Sequence, residues 1–248
     1  MKNSILKRII AVLFALAVWQ AAGMLVGHEV LLASPLNVIK TLIGVMSEAA
    51  FWNTVLFSTV RILAGFVLAY AAGLILGVTA VRFEWVKTLL WPFMVCIKSV
   101  PVASFIILSL IWLSSSQLVT FVCFLACLPS VYNNVTEGMQ NVEKEQIEIA
   151  LIFGASWGRM VRAVYLPNIE PYLLSACSTA CGMAFKAGVA AEVVAIVSGS
   201  IGEQIYMSKV YFETASLFAW TLVVVLLSLI FEKLFRTALQ GLIKLGAK

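Results

Sequence analysis

The chain has 248 residues, 62% hydrophobic and 12% charged, with a net charge of +5 and a mean hydropathy of +1.02. A soluble domain carries about 25% charged residues, so composition excludes an ordinary water-soluble fold, and the long apolar runs point to membrane helices rather than a barrel. The positive charge is not a nucleic-acid footprint, because it gathers on one side of a membrane.

In chain order, the first apolar run covers 9–26, behind Lys2, Lys7 and Arg8. It resembles a signal peptide, but it is long for one and no small-x-small site follows, so an uncleaved first span is expected. Residues 38–51, after the turn Ser34-Pro35, are amphipathic and interrupted by Lys40, Ser47 and Glu48, which suits an interfacial helix. Span two, 55–80, carries Gly65, Ala69, Gly73 and Gly77, a small residue every four positions, where another helix can approach closely. A charged turn is expected at 82–87. Span three, 88–113, contains Pro92 and Pro101, each of which frees a backbone carbonyl and bends a helix. Lys98 lies in this broken zone and either snorkels to the interface or faces an aqueous path. Span four, 118–131, ends near Pro129, span five covers 168–197 and span six 214–234. The fold class is therefore all-α, a polytopic membrane protein of six transmembrane helices. It forms one domain over 1–248, with its first span within 1–30 and its core over 54–248.

Residues 133–167 make the longest polar interval and are expected in water. Within it, Ile147, Ala150, Leu151 and Gly154, then Ala150, Phe153, Gly154 and Trp157, recur at i, i+3, i+4 and i+7. That period describes a helix with one apolar face. The face either docks on a second, soluble protein or lies back on the chain's own helices or the membrane surface. With the N-terminus inside and six spans, the cytoplasmic side holds Lys2, Lys7, Arg8, Arg82, Lys87, Lys144, Arg159, Arg162, Lys233, Arg236, Lys244 and Lys248, against Lys40 and Lys209 outside. This is the positive-inside pattern, and it puts the polar interval and both termini in the cytoplasm.

Span five has a polar or small stripe, Ser175, Thr179, Gly182 and Lys186, with Ser178 beside it. A charge at the depth of Lys186 costs about 2.5–3.5 kcal/mol even on a mild insertion scale, so it needs water or a partner. It lines a translocation path, or it pairs with a carboxylate such as Glu192 or one on a neighbouring subunit. Glu192 itself is expected near the outer end, hydrated. The cysteines Cys96, Cys123, Cys127, Cys177 and Cys181 fall in apolar runs and read as small packing residues. No catalytic constellation is visible: the chain has no aspartate, one histidine, and neither a phosphate-binding loop nor a nucleophile elbow.

The segment 148–167 resembles the EAA loop of bacterial ABC-importer permeases. Glu148, Ala150, Gly154, Leu166 and Pro167 match that pattern in spacing, while Ile149 and Val164 replace an alanine and an isoleucine. Ser34-Pro35, Arg61 with Gly65-Phe66, the Lys98 to Pro101 segment, Pro129 with Asn133 and Gly138, and Ala191-Glu192 are similar to the nitrate/sulfonate/taurine-type branch. Phe185 and Lys186 depart from that branch. The resemblance implies a type I importer permease with a coupling helix in the loop 137–167 that docks on an ATPase. Glu148 would meet a basic residue there, Gly154 would permit the close turn, and Ala150, Phe153 and Trp157 would supply the apolar contact. The implied partners are two ATPase subunits, a second permease copy (a homodimer), an extracytoplasmic solute-binding protein and membrane lipid, with no nucleic acid. No cofactor belongs to this chain; ATP and Mg belong to the partner ATPase, so the chain is not itself an enzyme. The implied path takes a small anionic, sulfonate- or oxyanion-like solute and is lined by Lys98, Pro101, Ser175, Ser178, Thr179, Gly182 and Lys186. The alternative is a stand-alone secondary transporter or channel, which would not need such a loop.

Overall fold

In the computed structural model, which describes residues 2–246, every regular element is a helix and no strand occurs among the described residues. In chain order they are α1 (Lys2–Val26), α2 (Pro35–Met46), α3 (Ala49–Arg82), α4 (Glu84–Ser99), α5 (Val102–Ser109), α6 (Ser115–Gln140), α7 (Lys144–Ile152), α8 (Trp157–Met160), a π-helical turn (Val161–Tyr165), α9 (Leu166–Ala195), α10 (Ile201–Val210) and α11 (Thr214–Gly246). Lys248, counted above among the cytoplasmic charges, lies outside the described residues, and of Lys2, Arg8 and Lys244 only the backbone is described. Five segments, Ile9–Val26, Ala49–Arg82, Ser115–Gln140, Trp157–Ala195 and Thr214–Ile243, are long and apolar enough to cross a membrane. α4 and α5 meet at a 99° bend; counted as one broken span, they bring the total to six.

The core is α3, α6 and α9 side by side. Lipid tails are as apolar as leucine, so close packing and hydrogen bonds must hold these helices together. Gly65, Ala69, Gly73 and Gly77 are all buried, and the three glycines meet α6. A Cβ at Gly73 would lie 2.7 Å from Val131 Cβ, and one at Gly77 2.6 Å from Val135 Cγ1. A Cβ at Gly65 would run into the Thr120 carbonyl and Cys123 Cβ. On its other side α6 uses thiols. Cys123 Sγ donates to the Ala184 carbonyl at 3.3 Å and Cys127 Sγ to the Ala180 carbonyl at 3.2 Å. Tyr70 Oη donates to the Leu173 carbonyl at 2.8 Å, joining α3 to α9. α11 closes the core with Phe231 and Phe235, whose rings stand edge-on to Phe66 at 5.4 and 4.8 Å. Such pairs contribute about 0.5–1.5 kcal/mol each beyond their burial. α1 stays at the edge, its apolar side chains largely exposed.

Several boundaries differ from the sequence reading. The interfacial helix expected over 38–51 is α2, which ends at Met46; Phe51 already belongs to α3, where it stacks on Trp220 at 5.2 Å. The charged turn expected at 82–87 shrinks to Phe83, because Glu84 opens α4 where a helix dipole favours a carboxylate. Span three breaks only at Pro101, and Pro92 sits inside α4 without ending it. Span four does not stop near Pro129. α6 runs through it to Gln140 with Pro129 buried, and packed neighbours are what let a membrane helix tolerate a proline. The polar interval 133–167 therefore begins as helix, with Val135, Gly138 and Met139 buried. Span six continues past 234 as one helix to Gly246. α10 was not foreseen.

Candidate functional site

The loop between α6 and α9 is built to project a short apolar tip. The single amphipathic helix expected through Trp157 is two pieces. α7 stops because Gly154 adopts φ +66, a left-handed conformation that other residues reach at a cost of about 1–2 kcal/mol. Gly154 N donates to the Leu151 carbonyl at 2.9 Å and Ala155 N to the Ala150 carbonyl at 3.0 Å, the paired bonds of a Schellman cap. The apolar face divides accordingly. Ile147 and Trp157 pack against the chain's own core, with the Arg82 guanidinium 5.0 Å over the Trp157 ring and Tyr165 at 5.6 Å. Ile152 and Phe153 are each 82% exposed. Glu148 and Pro167 are exposed as well, while Ala150 and Leu166 are half-buried.

The base of this tip is pinned. Asn168 Nδ2 donates to Gln146 Oε1 and to the Val164 carbonyl, both at 2.8 Å, tying α7 to α9 across the π-helical turn. Asn141 Nδ2 donates to Tyr172 Oη at 2.9 Å, and the Tyr172 ring lies on Gly138, where a Cβ would come within 2.8 Å of it. These bonds join the base of the tip to α9 and the end of α6 to α9.

The second feature lies along α9. One side of this helix is buried against α3 and α6; the other carries Pro171, Ser175, Thr179, Met183 and Lys186, all exposed. A cavity of about 390 Å³ is bordered by Lys98, Val100, Val102, Ser130, Asn133, Asn134, Thr179 and Met183. A second, of about 500 Å³, is bordered by Glu170, Pro171, Ser175, Ser178, Thr179 and Arg236. A third, of about 340 Å³, is bordered by Asn134, Glu137, Pro171, Tyr172 and Ser175. Shared walls at Thr179, Asn134, Ser175 and Pro171 join them into one groove along α9. Lys98 stands at its upper end, beside the bend that Pro101 makes between α4 and α5. A polar groove open at membrane depth must face water or a second chain.

Not every singled-out residue comes together. Ser178 borders the groove, but its hydroxyl donates to Glu232 of α11. Gly182 and Lys186 continue along α9 beyond the cavities. Glu192 neither pairs with Lys186 nor sits hydrated. It is fully buried, accepting from Ser58 Oγ at 2.8 Å and Gly202 N at 3.1 Å. The sequence reading missed the groove's α6 wall, Ser130, Asn133 and Asn134, because it assigned the asparagines to a loop. Their i, i+3, i+4 spacing was the available signal.

Comparison with known proteins agrees with this geometry. Residues 65–242 match the family described as "Binding-protein-dependent transport system inner membrane component". The chain is 24% identical over 232 residues to the putative aliphatic sulfonates transport permease protein SsuC of Bacillus subtilis, covering 92% of this chain and 83% of that one. It is 27% identical over 212 residues to the riboflavin transport system permease protein RibX of Chloroflexus aurantiacus, covering 84% and 78%. Its fold resembles a chain of the MetNI methionine ABC transporter in inward facing conformations, with a TM-score of 0.53 at 17% identity over 79% of this chain and 94% of that one. The stand-alone transporter or channel gives way, since the matched family works with a binding protein. An all-helical chain with a pinned, projecting loop and a polar groove between its spans thus belongs to the binding-protein-dependent permease family, as an inner-membrane subunit of an ABC import system.

Proposed function

We propose that the α7–α8 loop docks on a separate ATPase subunit and that the groove along α9 conducts a small anion. The observation that carries the coupling half is the exposure of Ile152 and Phe153 on a base fixed by Gln146, Asn168, Asn141 and Tyr172. A water-side loop that leaves two large apolar side chains exposed invites a groove to receive them. Glu148, Ala150, Gly154 and Trp157, with Leu166 and Pro167 at the start of α9, shape or carry that contact. The charge asymmetry supports a cytoplasmic loop and cytoplasmic termini. ATP and Mg then belong to the partner, present as two copies, and this chain needs no cofactor. The groove's polar side along α9 is exposed, which supports a second permease copy, an identical one, facing it. An extracytoplasmic binding protein delivers the solute. Nucleotide drives alternating access by binding one of two states more tightly than the other.

The anion reading rests on Lys98 opening into the groove opposite hydroxyl and amide groups of Ser130, Asn133, Asn134 and Thr179, an arrangement suited to oxyanion oxygens. The sulfonate relative's name agrees with it; the riboflavin relative's name marks a neutral solute as the outcome to test against. In liposomes carrying the complete transporter, an alkanesulfonate or bicarbonate should be taken up and riboflavin should not. Lys98→Ala should raise the KM for the anion about tenfold, the worth of roughly one charge-assisted hydrogen bond, and Lys98→Arg should retain uptake. Riboflavin uptake with no anion uptake, or an unchanged KM in Lys98→Ala, would overturn the reading.

A further inference from the structure

The N-terminus of α10 meets α3 and α9 on one buried carboxylate. Glu192, near the end of α9, is fully buried. Its Oε2 accepts from Ser58 Oγ of α3 at 2.8 Å and from Gly202 N of α10 at 3.1 Å, and Ser58 Oγ in turn accepts from Ile201 N at 2.8 Å. Three helices meet on one acid. Gly202 is needed there, because a Cβ would run into Glu192 Cβ and lie 2.6 Å from the Glu192 carbonyl carbon. Ser200, also buried, caps α10 by accepting from Glu203 N at 3.0 Å. α9 begins at the α7–α8 loop and ends here, so the junction sits at the opposite end of the groove.

The same junction holds groups without partners. Glu192 Oε1 is buried and accepts no hydrogen bond, and both terminal nitrogens of Arg61 are buried and donate none. Arg61 follows Ser58 by three residues on α3, so it shares the face that Ser58 turns toward Glu192. The two charges do not pair. The Arg61 guanidinium stacks on Phe57, 3.6 Å from the ring centre, and its Nε donates to the Phe57 carbonyl at 3.4 Å. A buried acid and a half-buried base, each with polar atoms left unpaired, form a costly arrangement. Such a pair is suited to an element with two positions of similar free energy.

We propose that Glu192 is a positioning residue of the transport cycle, a latch with two positions. In one, its carboxylate holds the N-terminus of α10. In the other, it turns to Arg61, and α10 swings away to open the end of the groove remote from the loop. The second position rests on the reading that nucleotide at the loop drives the change of state.

The test reads the exposure of Ile205, a residue of α10 that packs half-buried against the core. Ile205→Cys is introduced with Cys96→Ser, the other four thiols being buried, and the complete transporter is labelled with a membrane-impermeant maleimide. Without nucleotide, the parent should label slowly. Glu192→Gln, which keeps the acceptor, should match it, and Glu192→Ala should label about tenfold faster or more. With ATP bound and hydrolysis arrested, the parent should label fast. Glu192→Gln and Arg61→Gln should stay about tenfold slower, the size expected from losing one charge-assisted contact in the open state. Arg61→Lys should recover most of the parent's rate, which a folding defect would not allow. Glu192→Ala as slow as the parent without nucleotide, or Arg61→Gln as fast as the parent with ATP, would overturn the latch. Parent labelling that ignores ATP would instead contradict the coupling reading, leaving the nucleotide-free comparison to judge the latch by itself.

Discussion

Phe153→Asp will leave the permease folded in its membrane and lower solute uptake about a hundredfold. Phe153 is 82% exposed, so the chain's own core loses nothing when it is replaced. Surface substitutions of this kind change stability by about 0.5 kcal/mol or less. On the proposed docking the same side chain becomes a central apolar anchor, and truncating such an anchor costs about 2–4 kcal/mol of binding. A charge in its place also buries an unpaired carboxylate. The two effects separate cleanly: the thermal midpoint of the purified chain should not move, while uptake and solute-stimulated ATP hydrolysis fall together. Gly154→Asp should act in the same direction and more weakly. No atom crowds a Cβ at that position, so its cost is the φ of +66 and a tilted tip. Uptake at the parent's rate in Phe153→Asp would remove the tip from the mechanism.

Gly65→Leu should have the largest effect on the fold itself. A Cβ at this position would already meet the Thr120 carbonyl and Cys123 Cβ, and it would lie 3.2 Å from Phe124 N. The neighbours are largely helix backbone, which cannot rotate aside. Overpacking costs about 1–3 kcal/mol where side chains can adjust, and more where they cannot. Forcing α3 off α6 would also disturb the thiol bonds that α6 makes to α9. The expected result is loss of the monodisperse, detergent-extracted species. Gly44→Ala is the control: a Cβ there meets nothing within 4 Å, so extraction and melting should match the parent. A Gly65→Leu chain that melts with the parent would mean that α3 and α6 do not depend on this approach.

The parts legible in the sequence were those written in local pattern. Apolar length announced the spans, and a small residue every fourth position on α3 announced a face made for close approach. The period alone carried one helix through Trp157, and only the family resemblance implied the turn at Gly154 that ends α7. Elements fixed by neighbours were harder to read. Pro129 looked like a helix end because a lone helix loses a hydrogen bond at proline; buried within α6, it does not end one. Asn133 and Asn134 looked like loop because they are polar, yet they form a groove wall on a helix that continues to Gln140. α10 has little apolar signal of its own and is held by Ser58 and Glu192, from 143 and 10 residues away in the chain. A contact of that kind leaves no period to find.

A photoreactive residue at position 153, activated in intact cells, tests the central claim most directly. The account predicts an adduct to a nucleotide-binding subunit on the cytoplasmic side. An adduct only to lipid or to the permease itself, or labelling of the same position by an impermeant reagent added outside the cell, would contradict it.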